Sequence, residues 1–220
     1  MARPDLSRSK RLFGLPRWLV VAVPIAAVVV GAAFSVTPVS KADVAAQNTA
    51  FHAAPWAAKQ YPKTVLPYVE KNAVDLTTLL TALSADQKKA EQQYGHNAGT
   101  GSGYSFPVQF TATAGADSGG LVPLTVTGAP EDWTVSLQVG PAINGSALRD
   151  VSGKISFGSF ENQIDYQNAA LALNDQVKST VLADLDPATL DGKTIDVVGT
   201  FAEGANPVFV GVVPTSVTVR

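Results

Sequence analysis

The sequence predicts an α+β protein: an N-terminal transmembrane helix, then helices packed on an antiparallel, barrel-like sheet of five to six strands, with one long helix between strands. Three observations predict it. Residues 18–40 contain no charged side chain and follow a cluster of Arg3, Arg8, Lys10, Arg11 and Arg17. Residues 66–83 repeat apolar side chains every three or four positions. Beyond residue 104, apolar and polar residues alternate in short runs, with one return to helical spacing between 166 and 185.

The apolar run comes first. A hydrocarbon core about 30 Å thick needs roughly 20 apolar residues of helix, and WLVVAVPIAAVVVGAAFSV supplies them. Lys and Arg stay on the cytoplasmic side, so residues 1–17 form a cytoplasmic basic tail, 18–40 a single-pass anchor, and the rest is extracytoplasmic. Pro24 is tolerated in a membrane helix whose freed backbone groups are satisfied locally. The competing reading is a cleaved signal peptide, with Ser40-Lys41-Ala42 as the small-x-small site; the apolar run exceeds the usual length of about 7 to 15 residues for such a signal. With no cysteine in the chain, neither a lipid-modified cysteine nor a disulfide is available.

Charge divides along the same line. Residues 1–17 carry five basic and one acidic side chain, leaving 11 basic and 17 acidic after them. A mildly acidic exported part without a Lys/Arg face repels nucleic acid. Its fold must be stabilised by a core of ordinary size.

Residues 41–103 read as a spacer followed by a helical segment. Leu66, Val69, Ala73, Leu76, Leu80 and Leu83 share one face of a helix beginning near Pro67. Less than three heptads long, that face suits packing on the domain's own sheet rather than a coiled coil. Ser84-Ala85-Asp86-Gln87 has the form of a capping box for a second helix ending at Gly95. Trp56 and Tyr61 read as core anchors.

Residues 104–220 form the β-rich part. Phe106, Val108 and Phe110, then Val122, Leu124 and Val126, then Trp133, Val135, Leu137 and Val139 each alternate with polar neighbours. Turn formers separate the runs, so three strands make an antiparallel meander. Tyr166, Ala170, Leu173, Val177 and Val181 mark the long helix over 166–185. Ile195, Val197, Gly199 and Phe201 form a fourth strand; Val208, Val210 and Val212 lead through Pro214 into a fifth, the proline indicating an edge or a bulge. Three strands, a helix and two strands is the layout of the oligonucleotide/oligosaccharide-binding (OB) barrel. An open antiparallel sheet covered by helices has the same order.

Residues 140–166, GPAINGSALRDVSGKISFGSFENQIDY, hold the densest set of unusual residues. Gly140-Pro141, Gly145, Ala147-Leu148-Arg149-Asp150, Phe157, Phe160, Asn162-Gln163 and Leu173-Asn174 together resemble the signature of domain of unknown function 2291, a bacterial family of predicted periplasmic lipoproteins. The resemblance extends to Trp56, Pro67, Asp75, Tyr94-Gly95-His96, Gly192-Lys193 and Gly199-Thr200-Phe201. Asn144 and Ser146 stand where the family commonly has arginine and threonine, and the lipidated cysteine is missing. The resemblance implies an extracytoplasmic tethered domain without established activity, often encoded beside sugar-type ABC transporters.

Two readings of the block stand. Arg149 offers a fork of donors suited to a carboxylate, a phosphate or vicinal hydroxyls, and Asp150, Asn162 and Gln163 complete a polar set for a carbohydrate. Alternatively Arg149 pairs with Asp150 or Glu161, Asn162 and Gln163 satisfy backbone groups, and the glycines serve backbone geometry. Gly140, Pro141, Gly145, Phe160 and Asn174 are structural in both.

Catalytic signals are weak. His52 and His96 lack metal-ligand spacing, Asp184, Asp186 and Asp191 bracket a turn, and Gly99, Gly101 and Gly103 lack the strand and helix of a phosphate cradle. No metal or cofactor is expected. The expectation is a non-enzymatic accessory or binding protein whose partners are the membrane and an ABC transporter component or a carbohydrate. The alternatives are a protein–protein interaction module of the envelope and a glycan-acting hydrolase.

Overall fold

The computed structural model describes residues 51–99, 101 and 103–220. The expected tail, anchor and spacer lie outside the described residues, among which no helix is long and apolar enough to cross a membrane. Residues 51–220 form one compact unit.

The unit begins with helix α1 (Ala53–Gln60), a π-helical turn (Tyr61–Val65) and α2 (Leu66–Asn72). The predicted helix over 66–83 is therefore not continuous. Ala73 turns extended with ψ 125°, and Val74–Asp75 form a short strand, β1. β1 pairs in parallel with the first long strand through Val74↔Val108 and Asp75↔Gln109, so tertiary pairing overrides the local period. The Asp75 side chain accepts the Thr78 amide and starts α3 (Leu76–Ala85). Asp86, not Ser84, caps α4 (Gln87–Tyr94), accepting from the Lys89 amide. Ser84 bonds the Leu80 carbonyl instead, because it still lies within α3. β2 (His96–Asn97) follows.

Five long strands make the sheet: β3 (Tyr104–Ala114), β4 (Leu121–Thr125), β5 (Thr134–Gln138), β6 (Thr194–Ala202) and β7 (Phe209–Val219). They run in the order β3-β4-β5-β7-β6, and β6 returns to β3 in register from Ser105↔Ala202 to Thr113↔Thr194. The sheet is a closed five-stranded barrel, which removes the open-sheet alternative. The expected uniform antiparallel pairing is corrected at one seam, where β5 and β7 are parallel. Parallel neighbours need a long crossover, and residues 139–208 provide it with a helix. At Pro214 the β6–β7 register slips opposite Gly199, the bulge anticipated from the proline.

Two cores result. Leu76, Leu79, Leu80 and Leu83 of α3 enter the barrel interior beside Phe106, Val108, Leu137, Ile195 and Val212. Each such leucine contributes about 1.5–3 kcal/mol. A second core lies outside the barrel. Ala57, Val65 and Val69 meet Leu148, Val151, Leu173, Val177 and Val213 there, under α6 (Gln163–Thr180). The single face read from Val69 to Leu83 thus serves two cores, divided at β1.

Candidate functional site

The 140–166 block is the crossover that leaves β5, and three buried polar groups fasten it. Gln138, the last residue of β5, accepts from the Asn144 amide at 2.8 Å and donates to the carbonyls of Asn144 and Gly211. Asn174, 2% exposed on α6, donates to the carbonyls of Ile143 and Gly145 at 3.2 and 3.0 Å. Gly140 and Gly145 hold φ of 92° and 98°, reserved for glycine in practice, and the Gly140–Pro141 peptide is cis. The Gly140 carbonyl packs so closely on Gly120 that no side chain fits there.

The third fastener contains the predicted pair. Arg149 and Asp150 occupy a single helical turn, α5 (Ala147–Asp150), and are 5% and 1% exposed. Arg149 Nε and Nη2 donate to the two Asp150 oxygens at 2.7 and 2.9 Å, while Nη1 donates to the Tyr166 carbonyl at 3.0 Å. The Tyr166 hydroxyl donates to Asp150 Oδ1 at 3.0 Å. Phe157 and Phe160 meet Tyr166 at 5.5 and 5.4 Å, and Phe160 joins Trp56 and Phe51 in an edge-on aromatic cluster.

The other two predicted residues are elsewhere. Asn162 is the exposed N-cap of α6, its Oδ1 accepting the Asp165 amide and its Nδ2 donating to the Asp165 carboxylate. Gln163 opens that helix, exposed. Arg149 and Asp150 are brought together, and neither Asn162 nor Gln163 makes a hydrogen bond with them. The Arg149–Asp150 pair that one of the two readings expects is present.

An open cleft lies at one mouth of the barrel, with a volume of about 720 Å³. Trp133 and Phe209 flank the parallel β5–β7 seam, Phe201 and Glu203 come from the end of β6, and Ser84 and Gln87 from the α3–α4 corner. The Trp133 indole N–H donates to Ser84 Oγ at 2.9 Å, locking the ring to that corner. Glu203 accepts the Tyr104 amide at 2.9 Å through Oε2 and the Gln87 amide at 3.5 Å through Oε1. Burial lifts the Glu203 pKa above the ordinary glutamate range; the Tyr104 N–H opposes the rise, and the neighbouring Glu91 carboxyl adds to it. Aromatic walls with a few oriented polar groups are the makeup of small-molecule sites. Sequence reasoning missed this cleft, since its residues come from four separate chain segments; the one signal was a tryptophan at a strand entry behind a turn.

Barrel, crossover helix and helical front define an α+β protein of the OB class. It is similar in fold to the crystal structure of an OB-fold protein from Thermotoga maritima, with a TM-score of 0.62 and 19% identity, covering 77% of this chain and 99% of that one. No curated protein matches the sequence. Residues 24–218 match the family described as predicted periplasmic lipoprotein (DUF2291), and the chain belongs to that family.

Proposed function

We propose that this chain is a membrane-anchored extracytoplasmic protein that binds a small polar ligand without transforming it, as an accessory of a sugar-type ABC transporter. The cleft carries this reading: it is open, aromatic and polar, whereas Arg149 and Asp150 are engaged within the fold. The anchor is residues 18–40, whose length and basic front suit retention. Membership in a predicted periplasmic lipoprotein family supports the compartment, and the absence of cysteine favours a protein anchor over a lipid one.

The test is a thermal-shift screen of the full chain in detergent against mono- and disaccharides, amino sugars and polyols. A hit lost in Trp133→Ala and kept in Asn162→Ala supports the reading; silence across the screen defeats it. Recovery of a secreted form beginning near residue 43 defeats the anchor separately.

A second reading, a protein–protein interaction module, rests on a different observation. Phe157, Ile164 and Leu171 are 45%, 68% and 57% exposed, and the last two lie seven residues apart on one face of α6. Cross-linking in native membranes, with Ile164→Glu as control, distinguishes it.

A further inference from the structure

We propose that the barrel-mouth cleft selects a ligand carrying a protonated amine, with Glu203 and Asp132 as counter-charges and Trp133 as the aromatic wall. This inference rests on the cleft being the binding site and names the chemical class it takes.

The charge of the lining is one-sided. Asp132 and Glu203 face the cleft, and among the described residues no Lys, Arg or His lines it. Lys88 and Lys89 follow Gln87 on α4, yet neither contributes to the lining. Among the described residues, no ion pair involves Asp132, Glu203 or Glu91. Glu203 is half-buried, and the Glu91 carboxyl acts on it from α4. Two carboxyls facing one cleft, Asp132 and Glu203, favour a positively charged occupant. Among the described residues no group of three or more His, Cys, Asp or Glu is placed to hold a metal ion, so an organic cation is the favoured counter-charge.

The aromatic walls favour the same class. A cation over an indole face gains from the ring quadrupole, most strongly for tryptophan among the aromatic residues. Trp133 is held in place by its bond to Ser84, and Phe209 lies across the seam. A neutral hydroxyl also bonds a carboxylate, but it leaves the net charge of the cleft uncompensated and forgoes the stronger charge-assisted bond.

Calorimetric titration of the full chain in detergent with two matched pairs tests the proposal: glucosamine against glucose, and diaminobutane against butanediol. The amine of at least one pair is expected to bind about tenfold or more tightly than its neutral partner at low salt, with the margin shrinking as salt rises. Glu203→Gln keeps an acceptor for the Tyr104 amide and is expected to erase the margin. Should that variant fold poorly, Asp132→Asn, at an exposed position, is expected to reduce it. Equal or tighter binding of the neutral partners overturns the charge selection and leaves the binding site standing. No binding by any of the four probes overturns the inference. The same silence extended to the whole saccharide screen overturns the site.

Discussion

The guanidinium carbon of Arg149 lies 3.5 Å from the centroid of the Tyr166 ring. The side chain that neutralises Asp150 is thus covered by the residue whose hydroxyl bonds the same carboxylate. Helix α6 and the single turn α5 are joined through this shared polar arrangement.

Arg149→Met removes the cation that donates to both Asp150 oxygens and is expected to cost about 3–5 kcal/mol. The double variant Arg149→Met/Asp150→Leu is expected to regain most of that loss, because both members of the buried pair are replaced together. Denaturant unfolding measures both. A loss below about 1 kcal/mol for the single variant would mean that water screens the pair as it does at a surface.

Asn174→Ala removes the donor that satisfies the carbonyls of Ile143 and Gly145. The expected cost is about 1–3 kcal/mol, with faster amide exchange at residues 143–147. Uniform exchange along the crossover would contradict the role given to Asn174.

Tyr61→Phe is expected to be neutral or stabilising by up to about 1 kcal/mol. Burial pushes the Tyr61 pKa up to about 12, a rise that Thr180 partly opposes. In strict geometry the hydroxyl has no hydrogen-bond partner among the described residues. Removing an unsatisfied buried group relieves a penalty, so a clear loss in the melting temperature would show a partner there.

Glu203→Gln tests the carboxyl by pH. A glutamate whose folded pKa is raised favours its protonated form in the fold. Its contribution is full below the ordinary value of about 4.3 and is lost as pH rises through the folded pKa. Stability of the parent relative to Glu203→Gln is expected to fall across that window and then level off. A difference constant from acid to neutral pH would refute the shift.

Much of the fold was legible because alternation reports burial directly. Phe106, Val108, Phe110, Val122, Leu124, Val135 and Leu137 all face the barrel core, and Tyr166, Ala170, Leu173 and Val177 are buried on α6. The N-terminal helices were legible only in part. α2 begins at Leu66 with Pro67 in its first turn, as expected, but α1 and a π turn that accommodates Pro62 precede it. α6 starts at Gln163 rather than 166, its cap formed by Asn162, which reads equally as a ligand donor until the cap is seen. The pairing of Arg149 with Asp150 was among the readings open from sequence. The cleft was not, because no local pattern announces that Ser84, Trp133 and Glu203 converge.

The two-residue strand β1 decides where the chain can be cut. By pairing Val74 with Val108 it hydrogen-bonds the helical front to the barrel, and the helix that follows inserts Leu76, Leu79 and Leu80 into the interior. The front is thus part of the barrel's own core rather than an addition to a finished barrel. A gene fragment encoding residues 104–220 alone would present the uncovered mouth as a sticky apolar surface, and its product would aggregate. Residues 51–220 are one compact unit, and a chain without the helices would have to fill the barrel by other means.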